Sequence, residues 1–243
     1  MPWGEQKECV LRAIAEQSAK TRVILIVSEV CWATGFRVPV EDLAHDLEAL
    51  ANPPLLIIDG AHAVGNSLPP HPIAVGEAYI FSAHKWLLSP EPGGILLGRG
   101  ARPVYDAWVD QVPEVSAGFA GVCGLHSALA TTKSMLEEKR RTRSSSLKDL
   151  LVQSIQPFCS VVGARTGLVT TSLFSIRPAD GYHWLQPQNL TNALARKEVN
   201  ALVIYDGLLT GGEAWIRISL PFFSDWGEVL RLGEILVELV DKG

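Results

Sequence analysis

Short apolar runs recur along the first hundred residues, and polar or helix-forming sequence separates each run from the next. The runs occupy residues 23–27, 55–58, 78–81 and 94–97. Continuous apolar runs of this length are typical of strands that are covered on both faces. The pattern therefore predicts buried strands in this part of the chain.

A helix is predicted between the first two runs. Leu43, Leu47 and Leu50 recur at helical spacing, and Glu41 and Asp42 place negative charge in the first turn. A strand, a helix and a second strand in succession predict a doubly wound, mainly parallel α/β sheet. Because ligands bind at the carboxyl ends of the strands of such a sheet, we expect the chemistry to follow the apolar runs.

The pattern changes after the fourth run. Residues 125–156 are predicted to form one long helical stretch that is broken or capped near the serines at 144–146 and stops at Pro157. Further strands are predicted near residues 168–174, 201–205 and 215–220, with helices at 189–197 and from Asp225 onwards. We interpret residues 1–132 as part of a large domain, and residues 133–243 as a linking helix followed by a small α+β domain.

Composition narrows the class of protein. The chain has 243 residues, of which 47% are hydrophobic and 19% charged, so it can bury a substantial core. Its net charge of −5 gives no general attraction to nucleic acid or anionic lipid. No apolar stretch approaches the roughly 20 residues that cross a bilayer, and the chain start lacks a signal-peptide pattern. We therefore expect a cytoplasmic protein that binds neither membrane nor nucleic acid, with its four scattered cysteines as reduced core thiols.

Two clusters of chemically active residues follow neighbouring runs. Asp59 ends the second run and His62 comes three residues later, while Ser82, His84 and Lys85 follow the third run. Both clusters should face one crevice at the edge of the sheet. A lysine in an apolar crevice loses its charge more easily and becomes nucleophilic, which favours Schiff-base chemistry. The sequence shows no metal-ligand spacing.

These clusters resemble the motifs of a known enzyme family. Residues 59–63 read Asp-Gly-Ala-His-Ala, residues 82–86 read Ser-Ala-His-Lys-Trp, and Thr-Gly at 34–35 and Pro-Val at 39–40 precede them. The combination resembles the class V aminotransferase family of pyridoxal-phosphate enzymes, which includes cysteine desulfurases and isopenicillin N epimerase-like proteins. The resemblance implies a fold-type I large domain, pyridoxal 5'-phosphate as the cofactor, and an amino acid or amine as the substrate.

The resemblance also implies a role for five residues. Lys85 would hold the cofactor as a Schiff base and later carry a proton, and Asp59 would pair with the pyridinium nitrogen so that the ring accepts electrons. His62 would hydrogen-bond the phenolic oxygen of the ring. Ser82 and His84 would hold the phosphate. Lys85 and His62 are thus the expected catalytic residues.

A sixth residue lies near the carboxyl terminus. Residues 215–220 are similar to the family's last strand, in which an arginine binds the substrate carboxylate, and Arg217 occupies that position. A guanidinium can bind a carboxylate through two parallel hydrogen bonds, which an ammonium cannot. Taken alone, an arginine on a strand is more often a solvated or paired charge, and an aspartate-glycine pair is often only a turn.

The sequence also departs from the family. In the family, a segment with the first strands and part of the phosphate site precedes the position of Met1, so we expect an incomplete cofactor site. The strand edge that this leaves open predicts association as a homodimer or with a complementing chain. Residues 201–214 contain no cysteine, which argues against desulfuration by a nucleophilic cysteine. Trp32 stands where the family commonly has a small polar residue, so specificity does not carry over.

Two hypotheses follow from these observations. The first is a pyridoxal-phosphate-dependent transferase or lyase that uses Lys85 for transamination, epimerisation or elimination. The second is a truncated, catalytically silent homologue that acts as a binding or regulatory subunit. Retention of Lys85, Asp59 and Arg217 favours the first hypothesis. The expected lack of the family's amino-terminal segment favours the second.

Overall fold

The computed structural model describes residues 2–66, 75–90, 94–97, 119–134, 137–162, 171–207 and 210–242. The chain divides into two compact units. The first unit comprises Met1–Cys31, Arg37–Leu136 and Thr166–Leu168, and the second comprises Trp32–Phe36, Glu137–Arg165 and Val169–Gly243. The short segment Trp32–Phe36 therefore belongs to the second unit, although both of its flanks belong to the first.

The first unit contains a sheet whose four described strands lie side by side in chain order. They are β1 (Ile24–Ser28), β2 (Leu55–Asp59), β3 (Ala78–Phe81) and β4 (Gly94–Leu97). β1, β2 and β3 are parallel, whereas β4 runs antiparallel to β3. The predicted α/β class and the mainly parallel sheet are confirmed.

Three helices belong to the first unit within the described residues. They are α1 (Trp3–Ser18), α2 (Val40–Glu48) and α3 (Phe119–Ser134). α2 buries Leu43 and Leu47, as the helical spacing predicts, but it ends before Leu50. In the core of this unit these two leucines join Ile58 and Tyr79, which are 0% and 1% exposed. Burial of this apolar face accounts for the position of α2.

The strands differ in how far their faces are covered. Leu56, Ile57 and Ile58 of β2 are each at most 5% exposed, as a continuous apolar run predicts. In β1, however, Ile24 is 59% and Ile26 is 67% exposed. The prediction that all runs are covered on both faces is therefore wrong for β1. Among the described residues β1 pairs with β2 alone, so it lies at an edge of the sheet.

The second unit opens with α4 (Glu137–Ile155), in which Leu147, Leu151 and Ile155 are fully buried. The expected break near residues 144–146 is wrong, because the helix continues through the serines. Ser146 Oγ donates to its own helix at Thr142 O, so the hydroxyl is satisfied without ending the helix. The expected stop before Pro157 is confirmed.

An antiparallel sheet in the order β5-β6-β9-β8 packs on α4 in the core of the second unit. Its strands are β5 (Cys159–Val161), β6 (Leu173–Pro178), β8 (Leu202–Tyr205) and β9 (Ala214–Ser219). A short ladder pairs β7 (Tyr182–Trp184) with β10 (Val240–Lys242), and α5 (Leu190–Arg196) and α6 (Trp226–Glu238) complete the described elements. The predicted strand near 168–174 begins later, at Leu173, and its first residues lie outside the described part of the chain.

The four cysteines are free thiols in different environments. Cys159 on β5 is buried, and burial raises the pKa of its thiol to about 12. Cys9 and Cys123 are exposed, so the prediction of core thiols is wrong for these two, and Cys31 is half-buried. Cys9 and Cys123 lie at exposed positions of helices α1 and α3.

Two kinds of feature are absent from the part of the chain that the structure describes. None of its helices is long and apolar enough to cross a membrane. The same residues contain no group of three or more His, Cys, Asp or Glu side chains placed to hold a metal ion.

Candidate active site

The carboxylate of Asp59 is held at the carboxyl end of β2. Its Oδ1 accepts a hydrogen bond from the backbone N–H of Ala61 at 2.9 Å. Its Oδ2 accepts one from Ser28 Oγ at 3.2 Å, because Ser28 is the register partner of Asp59 on β1. Each oxygen retains capacity for a further donor, since a carboxylate offers about four lone-pair positions.

A tight turn follows Asp59 and carries His62. The N–H of Gly60 bonds to Ile80 O on β3 at 2.6 Å, and Ala63 N–H bonds back to Gly60 O at 2.9 Å. Asn66 Nδ2 then donates to the backbone oxygen of His62 at 2.9 Å. These bonds fix the backbone that carries the imidazole, which is half-buried.

Lys85 and His62 come together at the ends of the neighbouring strands β2 and β3. Lys85 Nζ lies 3.3 Å from His62 Nε2, and both side chains are half-buried. Ser82, which follows β3 directly, is half-buried, whereas His84 is exposed. The structure thus brings the amine and one imidazole into contact, and the roles of all these residues towards a cofactor remain predictions.

Arg217 lies in the second unit, on β9. Its Nη1 donates to the backbone oxygen of Trp32 at 3.4 Å, and burial lowers the pKa of its guanidinium from the ordinary value. The segment around Trp32 is attached to β6, because Ser175 Oγ donates to Ala33 O. Arg217 is therefore described with the second unit, and the other five predicted site residues with the first.

Sequence reasoning missed two residues at the carboxyl end of β1, Ser28 and Glu29. Ser28 bonds to Asp59, and the next residue, Glu29, is 1% exposed and accepts a hydrogen bond from Tyr79 Oη at 2.6 Å. The signal was present, because Ser28 and Glu29 end the first run just as Asp59 ends the second. Their partners depend on strand register, which the pattern of runs does not supply.

The donor set fits pyridoxal phosphate. The strand ends of the first unit present an amine, a carboxylate, a hydroxyl and imidazoles, on Lys85, Asp59, Ser82 and the two histidines. A Schiff-base amine, a partner for a pyridinium and donors for a phosphate are the groups that this cofactor requires.

The comparisons with known proteins agree on the fold. No protein-family model and no curated protein matches the sequence. Solved structures, however, match over nearly the whole of this chain, and they show that it has the fold of pyridoxal-phosphate-dependent enzymes of fold type I. Within that class, the chain is similar to NifS-like proteins and cysteine desulfurases, so the fold implied by the class V aminotransferase resemblance is confirmed.

Three of these structures illustrate the likeness. A NifS-like protein has a TM-score of 0.70 and 16% identity, over 94% of this chain and 64% of its own. A cysteine desulfurase from Thermococcus onnurineus NA1 has a TM-score of 0.67 and 14% identity, over 93% and 62%. A lysine-to-alanine variant of the lyase C-DES, with glycine covalently linked to its PLP cofactor, has a TM-score of 0.70 and 18% identity. That match covers 96% of this chain and 64% of the C-DES chain. This chain thus spans less than two thirds of their length.

Proposed function

We propose that this chain is a pyridoxal-phosphate-dependent enzyme of the class V aminotransferase type that acts on an amino acid or amine through Lys85. The observation that carries the proposal is the 3.3 Å contact between Lys85 Nζ and His62 Nε2, at the ends of two neighbouring parallel strands. Transamination, epimerisation and elimination all belong to the proposal, because each would use the same lysine and cofactor.

Five residues of the first unit would hold the cofactor. Asp59 would accept a hydrogen bond from the protonated ring nitrogen, His62 would contact the phenolic oxygen, and Lys85 would bind the aldehyde carbon. Ser82 and His84 would donate to the phosphate. When bound, pyridoxal phosphate supplies an aldehyde that condenses with amines and a ring that stabilises negative charge at the substrate α-carbon.

The contact between Lys85 and His62 gives the amine a proton acceptor. An ammonium cannot attack a carbonyl carbon, so a lysine nucleophile must first lose a proton. His62 Nε2 lies close enough to Lys85 Nζ to receive that proton. The same pair can return a proton to the substrate later, which gives both residues a catalytic role in the proposal.

Arg217 would select a substrate that carries a carboxylate. Its guanidinium is half-buried and donates one hydrogen bond to the backbone at Trp32, which leaves further N–H donors for a ligand. A planar guanidinium can bind a carboxylate through two bonds, so it orients an amino acid as well as attracting it. An amine without a carboxylate would bind less well.

The proposal is tested by titrating the purified chain with pyridoxal phosphate and following the absorbance of the bound cofactor. Borohydride reduction followed by peptide mapping should then place the cofactor on Lys85. We expect Lys85→Ala to abolish covalent attachment, because Lys85 is the amine that contacts His62 at these strand ends. Lys20→Ala is the matched control, since Lys20 is exposed and remote from the strand ends in sequence, and it should bind like the wild type.

Three outcomes separate the proposal from its alternative. Labelling of Lys85 together with turnover of an amino acid or amine supports the enzyme. Labelling without turnover of any substrate class favours the silent homologue that acts as a binding or regulatory subunit. Equal labelling of wild type and Lys85→Ala shows that the assignment of Lys85 is wrong.

A partner chain is also part of the proposal. The exposed side chains of Ile24 and Ile26 lie on β1, at an edge of the described sheet. An apolar strand at a sheet edge favours association with another chain. We expect a homodimer or a complex with a complementing chain, which sedimentation with and without pyridoxal phosphate measures. A monomer that binds the cofactor tightly would contradict this part of the proposal.

A further inference from the structure

A charged network lies buried beneath the strand ends of the first unit. The side chain of Glu29 is 2% exposed and Tyr79 is 1% exposed, whereas the side chain of Arg37 is half-buried, at 26% exposed. Tyr79 Oη donates to Glu29 Oε2 at 2.6 Å, and Arg37 Nε donates to Glu29 Oε1 at 3.0 Å. The other end of the arginine, Nη2, lies 3.8 Å from the carboxylate of Glu41. We call Glu29, Tyr79 and Arg37 the buried triad.

The Glu29 carboxylate is paired on both oxygens, whereas Arg37 Nη2 is buried without a hydrogen-bond partner among the described residues. Burying a carboxylate costs several kcal/mol unless an opposite charge and hydrogen bonds compensate it. Arg37 supplies the charge, and Tyr79 supplies a hydrogen bond to the second oxygen. Burial, and then the hydrogen bond to Glu29, raise the pKa of Tyr79 far above its ordinary value. The tyrosine therefore stays protonated and acts as a donor.

Two contacts connect the triad to Asp59. The backbone N–H of Glu29 donates to Asp59 O at 2.9 Å. The ring of Tyr79 lies so close beneath Gly60 that a Cβ on Gly60 would sit 2.2 Å from Tyr79 Cε1. The main chain of Glu29 and the ring of Tyr79 thus contact Asp59 O and Gly60, where the strand ends and the turn begins.

The position of the triad distinguishes it from an ordinary core element. Tyr79 belongs to the hydrophobic core of the first unit, and a well-packed apolar replacement of a buried ion pair is often neutral or stabilising. A charged triad is therefore poorly explained by stability alone. It does provide directed hydrogen bonds between residues that contact the backbone of Asp59 and Gly60.

We propose that the buried triad is a positioning device that holds the Asp59 carboxylate towards the ring nitrogen of the cofactor. This inference rests on the proposed function, because it takes Asp59 as the partner of that nitrogen. Glu29, Tyr79 and Arg37 act through the backbone of residues 59–60 and do not touch the cofactor. The triad fixes the backbone that carries the carboxylate, and Ser28 Oγ and the N–H of Ala61 bond its two oxygens.

The test compares two cofactors in the purified chain. One is pyridoxal phosphate, and the other is its 1-deaza analogue, in which carbon replaces the ring nitrogen and Asp59 has no donor to bind. Tyr79→Phe keeps the ring beneath Gly60 and removes the bond to Glu29. We expect the variant to bind pyridoxal phosphate about tenfold more weakly and to bind the analogue as the wild type does. Tyr205→Phe, at a tyrosine that is 69% exposed, is the control.

The ratio of the two affinities separates positioning from general damage. A variant that binds both cofactors equally less well, or both like the wild type, overturns the inference while the proposed function stands. A wild type that binds neither overturns the proposed function and the inference with it. If Tyr79→Phe does not fold, Arg37→Lys replaces it, because lysine keeps the charge but loses the geometry of the Nε–H bond. The same fall in the affinity ratio is expected.

Discussion

The two units place polar groups in their interiors in different ways. The first unit buries the carboxyl side chain of Glu29, which pairs with Arg37 and Tyr79. In the described part of the second unit, the buried polar residues all carry hydroxyls: Ser144, Thr171, Ser172, Ser175 and Thr210. Burial of a charged side chain costs desolvation free energy and requires partners in a defined geometry. A buried hydroxyl can hydrogen-bond a backbone group at little free-energy cost. The buried polar contacts of Glu29 thus hold a charged group in place in the first unit, whereas the buried hydroxyls of the second unit stabilise its backbone conformation.

The largest effect expected from this comparison concerns two glycines. At Gly35 of the second unit, φ is +72° and a Cβ would lie 1.5 Å from Leu173 O, a backbone atom that cannot move aside. At Gly60 of the first unit, the obstacle is the side chain of Tyr79. We expect Gly35→Ala to lower the free energy of unfolding by about 3 kcal/mol or more. Gly60→Ala should cost about 1–3 kcal/mol.

Urea unfolding of each variant measures the two effects, and a third glycine separates their causes. Gly181 has φ +87° but nothing within 4 Å of its Cβ position. Gly181→Ala therefore reports the cost of the backbone angle alone, about 1 kcal/mol. If Gly35→Ala costs no more than Gly181→Ala, the segment around Gly35 does not pack on β6 in solution.

The second effect is a dependence of folding stability on pH, which we expect from the buried cysteine of the second unit and not from an exposed cysteine of the first. Burial raises the pKa of Cys159 from 9.0 to about 12. The unfolded thiol ionises at a lower pH than the folded one, so alkaline pH favours the unfolded chain. The contribution of the protonated Cys159 thiol to folding stability is fully present below pH 9 and is lost as the pH rises towards 12. At about pH 10.5 we expect the wild type to lose about 2 kcal/mol through this thiol.

Chemical unfolding at about pH 8 and about pH 10.5 tests this dependence. Cys159→Ala removes the thiol, so its free energy of unfolding should fall less between these two pH values than that of the wild type. Cys9→Ala is the control, because Cys9 is exposed in the first unit and its removal should leave the loss unchanged. Parallel curves for the wild type and Cys159→Ala would show that Cys159 ionises as freely in the folded chain as in the unfolded one.

A smaller effect is expected at the bond that attaches Trp32–Phe36 to β6. Ser175 is fully buried, and its Oγ donates to Ala33 O. Ser175→Ala leaves that backbone oxygen without this donor and should cost about 1–2 kcal/mol in urea unfolding. Ser146→Ala, whose hydroxyl bonds only within α4, should change stability by less than about 0.5 kcal/mol. Equal losses in both variants would contradict an anchoring role for Ser175.

Part of the fold and of the candidate site could be predicted because the signals are local. The runs that became β2 and β3 are continuous and apolar, so their strands were evident. Parallel strands end at one edge of the sheet, which is why Asp59 and Lys85 could be assigned to one site from sequence. The amphipathic spacing of α2 and the stop before Pro157 are local signals of the same kind.

The rest depends on contacts between residues that are distant in sequence. Glu29 and Tyr79 meet only through the register of three strands, and no periodicity reveals a pairing across fifty positions. β7 and β10 are three-residue strands with polar members, too short for an alternation to emerge. Trp32–Phe36 belongs to the second unit through contacts such as the hydrogen bond from Ser175 Oγ to Ala33 O, to which its own sequence gives no clue.

The smallest effect compares two residues that have left-handed backbone without being glycine. Glu198 (φ 61°) follows α5, where the N–H groups of Glu198 and Val199 bond back to Ala195 O and Leu194 O in a Schellman motif. Glu198→Gly should therefore stabilise the chain by about 0.5–1 kcal/mol, because its exposed ion pair with Arg231 contributes little.

Leu88 (φ 59°) has the same backbone conformation in the first unit, three residues after Lys85, and its side chain is 56% exposed. Leu88→Gly should give a similar gain in thermal unfolding, because it relieves the same strain. Strained backbone beside a site can also hold it in its working geometry. We therefore expect Leu88→Gly to weaken binding of pyridoxal phosphate about threefold, whereas Glu198→Gly leaves binding unchanged. If both variants bind like the wild type, the strain at Leu88 has no part in positioning Lys85, and the two left-handed residues differ only in location.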